Sequence, residues 1–193
     1  MDLILASTSP YRRQLLMRLG LKFSVQAPGI IEVAHPGEHP HALAQRLADE
    51  KANAVALKQP GALVIGSDQL ACLGETVLGK PDTQENAEQQ LLACSGREVV
   101  FLTALNVCCH ARGRTVRVMD ETRVQFRELS TRLVRRYVEL EQPLDCAGSF
   151  KVEGLGISLF TGIHTSDPSA LIGLPLIKLC TVLSQFGIEP LEQ

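Results

Sequence analysis

The chain has 193 residues, 45% hydrophobic and 21% charged, with a formal net charge of −2. That composition is globular rather than disordered, and a chain of this length buries roughly 70% of its unfolded surface, so it needs no covalent staple. A near-neutral balance provides no global basic field for a long nucleic acid or an anionic membrane; an anionic ligand must be met by locally gathered cations.

The opening run Met1–Ala6 is apolar but lacks a basic leader and is cut by Pro10-Tyr11-Arg12-Arg13, so it does not read as a signal peptide. No apolar stretch approaches the ~20 residues of a membrane span. Six cysteines without a CxxC pattern read as reduced, buried thiols. Together these features predict a cytoplasmic protein. Cys108-Cys109 invites a redox reading, yet neighbours in a strand point to opposite faces, which favours a packing role.

In chain order, Leu3–Ala6 reads as a buried strand, and Ser7-Thr8-Ser9-Pro10 supplies caps and a first-turn proline for a helix over Tyr11–Leu19. Phe23–Gln26 is a short strand, followed by a loop from Pro28 to His41. Apolar spacing predicts an amphipathic helix over His41–Leu57. Leu63-Val64-Ile65 is a strand that should end in a turn at Gly66-Ser67-Asp68-Gln69. Thr83 caps a helix over Gln84–Cys94, Glu98–Cys109 and Thr115–Phe126 form a hairpin, and Ser130 caps a helix over Thr131–Leu140. The glycine-rich stretch Cys146–Phe160 gives no clear pattern. Asp167-Pro168 opens a turn, and Pro175–Phe186 is the last helix. Alternating strands and helices with one antiparallel hairpin predict an α/β fold with a mixed sheet.

Three groups of residues carry potential chemistry. Ser7, Ser9, Arg12 and Arg13 lie where a strand delivers the chain to a helix N-terminus, whose free amide protons and dipole favour an anion. That arrangement suits a phosphate cradle or, equally, a capped helix with solvated arginines; Walker and dinucleotide patterns are both absent. Asp68 follows a buried strand, near the sheet edge where α/β proteins hold ligands, and would bind a divalent cation or polarise a water. The competing reading is a turn aspartate bonded to its own backbone. Lys51, Lys80 and Lys151 form the third group, the last two in glycine-punctuated loops. His35, His39 and His41 mimic a metal set, but without further ligands nearby they read as a loop entering a helix.

Leu3–Leu16 closely resembles the N-terminal signature of the Maf family of nucleotide pyrophosphatases. Glu32, Glu50-Lys51-Ala52, Gly66-Ser67-Asp68-Gln69, Gly79-Lys80-Pro81, Ala147–Gly154 and Asp167 through Ile172-Gly173-Leu174-Pro175 follow in the family's order. The resemblance covers nearly the whole chain and implies one domain over residues 1–193. It implies an elongated α/β fold similar to inosine triphosphate pyrophosphatases, with two lobes around a cleft and commonly a homodimer. It also implies hydrolysis between the α and β phosphates of a nucleoside triphosphate, assisted by Mg²⁺ or Mn²⁺. Carried over residue by residue, Asp68 is the general base, with Lys51 and Lys80 beside it in catalysis. Ser7, Ser9, Arg12, Arg13 and Lys151 bind substrate, and Asp68 and Glu32 hold the metal.

In the family three positions track the base, and here they are Tyr11, Gln69 and Glu153. The branch acting on dTTP and UTP typically has arginine, threonine and glutamine there. This chain resembles instead the YceF branch, linked to 7-methyl-GTP, which often carries tryptophan where Tyr11 stands. The chemistry agrees: an aromatic face attracts the cationic methylated ring by roughly 0.5–2 kcal/mol, and a carboxylate at Glu153 accepts from the guanine N1–H and amine. The resemblance leaves two alternatives, a dTTP/UTP pyrophosphatase and a nucleotide-binding regulator of septum formation.

Overall fold

The structure is a computed structural model that describes residues 1–192. Seven strands form a mixed sheet in the order β2-β1-β3-β5-β6-β7, with β4 paired to β3. They are β1 (Leu3–Ala6), β2 (Ser24–Gln26), β3 (Leu63–Leu73), β4 (Thr76–Leu78), β5 (Glu98–Cys109), β6 (Arg114–Phe126) and β7 (Phe160–His164). Five helices accompany them: α1 (Pro10–Met17), α2 (Pro40–Ala56), α3 (Gln84–Cys94), α4 (Thr131–Glu141) and α5 (Leu176–Ser184). β1 pairs in parallel with β2 and β3, whereas β4 on β3 and β7 on β6 are antiparallel. The mixed α/β architecture expected from the sequence is therefore present. Among the described residues, no helix is long and apolar enough to cross a membrane.

The chain divides into two compact units, and it crosses from one to the other within β3, β5 and β6. The first unit comprises residues 1–68, 103–120 and 167–193. Its strands β1, β3 and β5 are covered on both faces, which explains why they read as apolar runs. Leu3 and Leu5 of β1, Leu63 and Ile65 of β3, and Leu105, Val107 and Cys109 of β5 pack with Leu15, Leu16 and the α5 residues Leu179, Val182 and Leu183. The alternate residues Ile4, Ala6, Val64 and Cys108 pack against Ala52, Val55 and Ala56 of α2. Cys108 and Cys109 thus occupy separate cores, as strand alternation requires.

The second unit comprises residues 69–102 and 121–166. Phe101, Phe126, Phe150 and Phe160 meet edge to face with ring centroids 4.7–5.8 Å apart, a geometry worth about 0.5–1.5 kcal/mol per pair beyond area burial. α4 turns Val134, Tyr137 and Val138 inward.

Local signals placed most boundaries. Ser9, Thr83 and Ser130 each accept a backbone N–H at the start of α1, α3 and α4, satisfying donors the helix itself leaves open. α1 stops two residues before Leu19 because its last turn tightens to three-residue spacing, with Leu19 N donating to Leu16 O at 3.1 Å. α2 begins at Pro40, capped by His39, whose Nδ1 accepts from His41 N. Two short strands, β4 and β7, give no periodic signal long enough to recognise, and the glycine-rich stretch contains 3₁₀ turns at Ala147–Ser149 and Leu155–Leu159.

One expectation requires correction. Gly66-Ser67-Asp68-Gln69 is not a turn; β3 continues through it to Leu73. Gly66 is needed there for close approach rather than for turning. A Cβ at this position would lie 2.4 Å from the Ala48 carbonyl oxygen and 2.6 Å from the Ala52 nitrogen, both backbone atoms of α2. Helix and strand therefore pack closely at this point.

Gly66→Ala forces α2 off the strand, and overpacking of this kind typically costs about 1–3 kcal/mol. Urea denaturation should show a loss at or above that range, while Gly61→Ala, which meets nothing within 4 Å, should stay near wild type. Equal midpoints for the two variants would contradict the packing account.

Candidate active site

Strand alternation sets the two faces of β3 beyond Ile65. Gly66 and Asp68 face α2 with Val64, and Ser67 takes the opposite face with Leu63 and Ile65. Asp68 is 4% exposed, and its Oδ1 accepts from Lys51 Nζ of α2 at 2.6 Å. The same ammonium lies 2.9 Å from Glu32 Oε2, which reaches it from the loop after β2. Lys51 and Asp68 have side-chain exposures of only 5% and 6%, so theirs is an ion pair with both partners buried.

Burial pushes the Asp68 carboxyl above the ordinary carboxylate value; Lys51 and Arg12 oppose it, and Glu32 adds to it. Arg12 is shifted down by desolvation and supported by the charges of Asp68 and Glu32. Four expected residues, Glu32, Lys51, Asp68 and Arg12, thus form one electrostatic group in the first unit.

The start of α1 supplies the next layer. Ser7 is buried, and its Oγ accepts from Ser9 N at 3.1 Å; Ser9 Oγ accepts from Arg12 N at 3.4 Å. Each hydroxyl spends acceptor capacity on backbone and retains its own proton to donate. Tyr11 is half-buried on the first turn and Arg13 is exposed beside it. Arg12 Nε donates to the carbonyl oxygen of Gly173 at 2.8 Å.

That carbonyl belongs to a segment whose role no local signal marked. Ser67 Oγ donates to the same Gly173 oxygen at 3.1 Å. Asp167 is buried, and its carboxylate accepts from Ser169 N, Ser169 Oγ, Ile177 N and Lys178 N. Ser169 Oγ accepts in turn from Leu176 N, and Thr103 Oγ1 donates to Ala170 O. Asp167 thus caps α5 and ties down the loop before it, a role that neither the turn nor the motif match at Asp167 had indicated.

The remaining expected residues belong to the second unit. Gln69 is half-buried on β3 directly after Asp68. Lys80 is exposed between β4 and α3, in a loop held by Gln90 Nε2 donating to Gly79 O at 3.2 Å. Lys151 donates through its Nζ to Glu141 O at 3.3 Å and Gln142 O at 3.5 Å at the end of α4, a favourable place for a cation. Its backbone N–H donates to Tyr137 Oη at 3.0 Å. Glu153 is exposed in the turn that follows.

The fold defines a structural class first. A HAM1 protein from Coxiella burnetii superposes with a TM-score of 0.52 at 13% identity, covering 96% of this chain and 99% of that one. The sequence then defines the family. The Maf-like protein model matches residues 2–186, and the chain belongs to that family. A protein of Nitrosococcus oceani named 7-methyl-GTP pyrophosphatase is 51% identical over 96% of this chain and 93% of its own length. A protein of the same name from Alcanivorax borkumensis is 52% identical over 97% and 95%.

Lys51→Met removes one partner of the buried pair and leaves Asp68 without its nearest cation. Breaking such a pair costs about 3–5 kcal/mol. The charged carboxylate carries that penalty, so the loss should be largest at neutral pH and shrink as acid protonates Asp68. Denaturation curves at pH 7 and pH 5 test this; a pH-independent loss, or none, would contradict it.

Proposed function

We propose that the chain is a nucleoside triphosphate pyrophosphatase that hydrolyses 7-methyl-GTP to 7-methyl-GMP and pyrophosphate. The observation that carries the reading is Asp68, a carboxylate buried in mid-strand, paired with Lys51 and within the field of Arg12. It is joined by the 51–52% identity to relatives bearing that name over nearly their whole length.

Asp68 Oδ1 is committed to Lys51, which leaves Oδ2 to accept a proton from water. The water oxygen bonds to the α phosphorus as its proton passes to Asp68. The bond from that phosphorus to the oxygen bridging to the β phosphate then breaks, and pyrophosphate leaves with the electron pair. A triphosphate brings about four negative charges, and preorganised cations stabilise the charge that grows on the leaving group. Arg12, Arg13 and Lys51 serve this in the first unit, and Ser7 and Ser9 add hydroxyl donors. Lys80 and Lys151 are assigned to the phosphates, and Tyr11, Gln69 and Glu153 to the base, on the family's motif positions.

The carboxylates suit a divalent ion. Asp68 and Glu32 both contact the Lys51 ammonium, which brings their carboxylates close together, and Mg²⁺ is usually held by one or two carboxylates together with substrate phosphates. Among the described residues, no group of three or more His, Cys, Asp or Glu side chains is placed to hold a metal. Asp68 and Glu32 would hold Mg²⁺ or Mn²⁺, which would supply charge neutralisation to the phosphates.

Pyrophosphate release should be measured with 7-methyl-GTP, GTP, dTTP and UTP in Mg²⁺ or Mn²⁺. The highest kcat/KM is expected for 7-methyl-GTP, and Glu153→Gln should erode that preference. A preference for dTTP or UTP would move the assignment to the other branch, and nucleotide binding without turnover of any substrate would favour a regulator.

Asp68→Asn should lower kcat by about 10²–10⁴-fold, the usual contribution of a positioned acid–base group, with the fold retained. Because burial raises Asp68, the acid limb of kcat/KM should fall above pH 3.8, the ordinary aspartate value. Retained activity in the variant, or a limb at or below that value, would remove Asp68 as base.

A further inference from the structure

We infer that Ser67 and the Gly173 carbonyl are positioning residues that aim the Arg12 guanidinium at the substrate's phosphates, an inference that rests on the reading of the site above. An arginine side chain is long and rotamer-rich, so an unrestrained one loses entropy whenever it clamps an anion. Arg12 is restrained in the folded protein. Its Nε donates to Gly173 O at 2.8 Å, a bond that fixes the plane of the guanidinium. The two terminal nitrogens carry no hydrogen bond among the described residues, and they form the end of the fork that pairs with an oxyanion.

The carbonyl itself is held. Ser67 Oγ donates to it at 3.1 Å from a fully buried position on β3. Gly173 has φ +123, a conformation that side chains other than glycine's rarely adopt. The segment before it is anchored at Ala170 by Thr103 and at both ends by Asp167 and Ser169. Ser67 is the immediate neighbour of Asp68, so one short piece of β3 orients the residue assigned to water on one face and the residue assigned to phosphate on the other. Ser67 need not touch the substrate for this; it acts through Arg12.

A double-mutant cycle tests the inference with the full-length protein, reading KM and kcat for 7-methyl-GTP and the Kd for inorganic tripolyphosphate by calorimetry. Losing one neutral hydrogen bond that preorganises a ligand group is worth about fivefold. Ser67→Ala should raise KM and the tripolyphosphate Kd by about that factor, leave kcat within about twofold, and preserve the melting temperature. In an Arg12→Ala background the same substitution should change neither constant. An effect of Ser67→Ala that persists in full in Arg12→Ala, or a Kd that Ser67→Ala leaves unchanged while Arg12 is present, would overturn the positioning role. If Ser67→Ala does not fold, Ser67→Cys keeps the volume while weakening the donor, and the same pattern is required of it. Normal turnover with no coupling would sink the positioning role alone. Coupling in tripolyphosphate binding, with no triphosphate hydrolysed by the wild type, would sink the proposed activity alone.

Discussion

Asp68 is a carboxylate placed where carboxylates are costly, in the middle of a buried strand, and the first unit is arranged around keeping it there. An isolated charge at that depth would neutralise or unfold its surroundings. Lys51 prevents this at 2.6 Å, with Glu32 bound to the same ammonium. Such pairs rarely stabilise a fold relative to an apolar substitute. Retaining one at the cost of desolvation is the pattern expected where the charge has work to do. The outcome is a carboxylate raised by burial yet held by cations, a suitable poise for taking a proton from water.

The geometry behind the pair is a close approach of helix and strand. Gly66 lets α2 sit against β3 at a distance no side chain allows, bringing Lys51 down onto Asp68 two residues further along. The alternation of β3 then gives Ser67 the opposite face, where it meets the loop that α5 and Asp167 hold in place. Packing, capping and charge placement are thus not separable here. A change at Gly66 or Asp167 would disturb the site without touching any group that meets a phosphate.

Much of this was legible in the sequence where the signal is local. β1, the Ser9 cap with Pro10, and α1 are contiguous, and each obeys a rule that needs no partner. Thr83 and Ser130 announced α3 and α4 in the same way. Gly66-Ser67-Asp68-Gln69 misled because glycine followed by small polar residues is the composition of a turn. Only α2 explains why glycine is required there, and only Lys51 and the Gly173 carbonyl explain how Ser67 and Asp68 are satisfied. The Arg12–Gly173 bond spans 161 positions of sequence, a distance at which no pattern operates. The residues proposed for the site could be named because the family's motifs run in order along the chain. Their pairing was not.

The account is tested most directly by the protonation of Asp68 itself. Side-chain carboxyl ¹³C resonances can be titrated by NMR in the free protein, with the Asp68 signal assigned by its loss in Asp68→Asn. The midpoint should lie above the ordinary aspartate value of 3.8, and it should move further up in Lys51→Met, where burial acts without the nearest opposing cation. A midpoint at or below 3.8 that Lys51→Met leaves unmoved would contradict the claim that burial and Lys51 together set the state of this carboxylate.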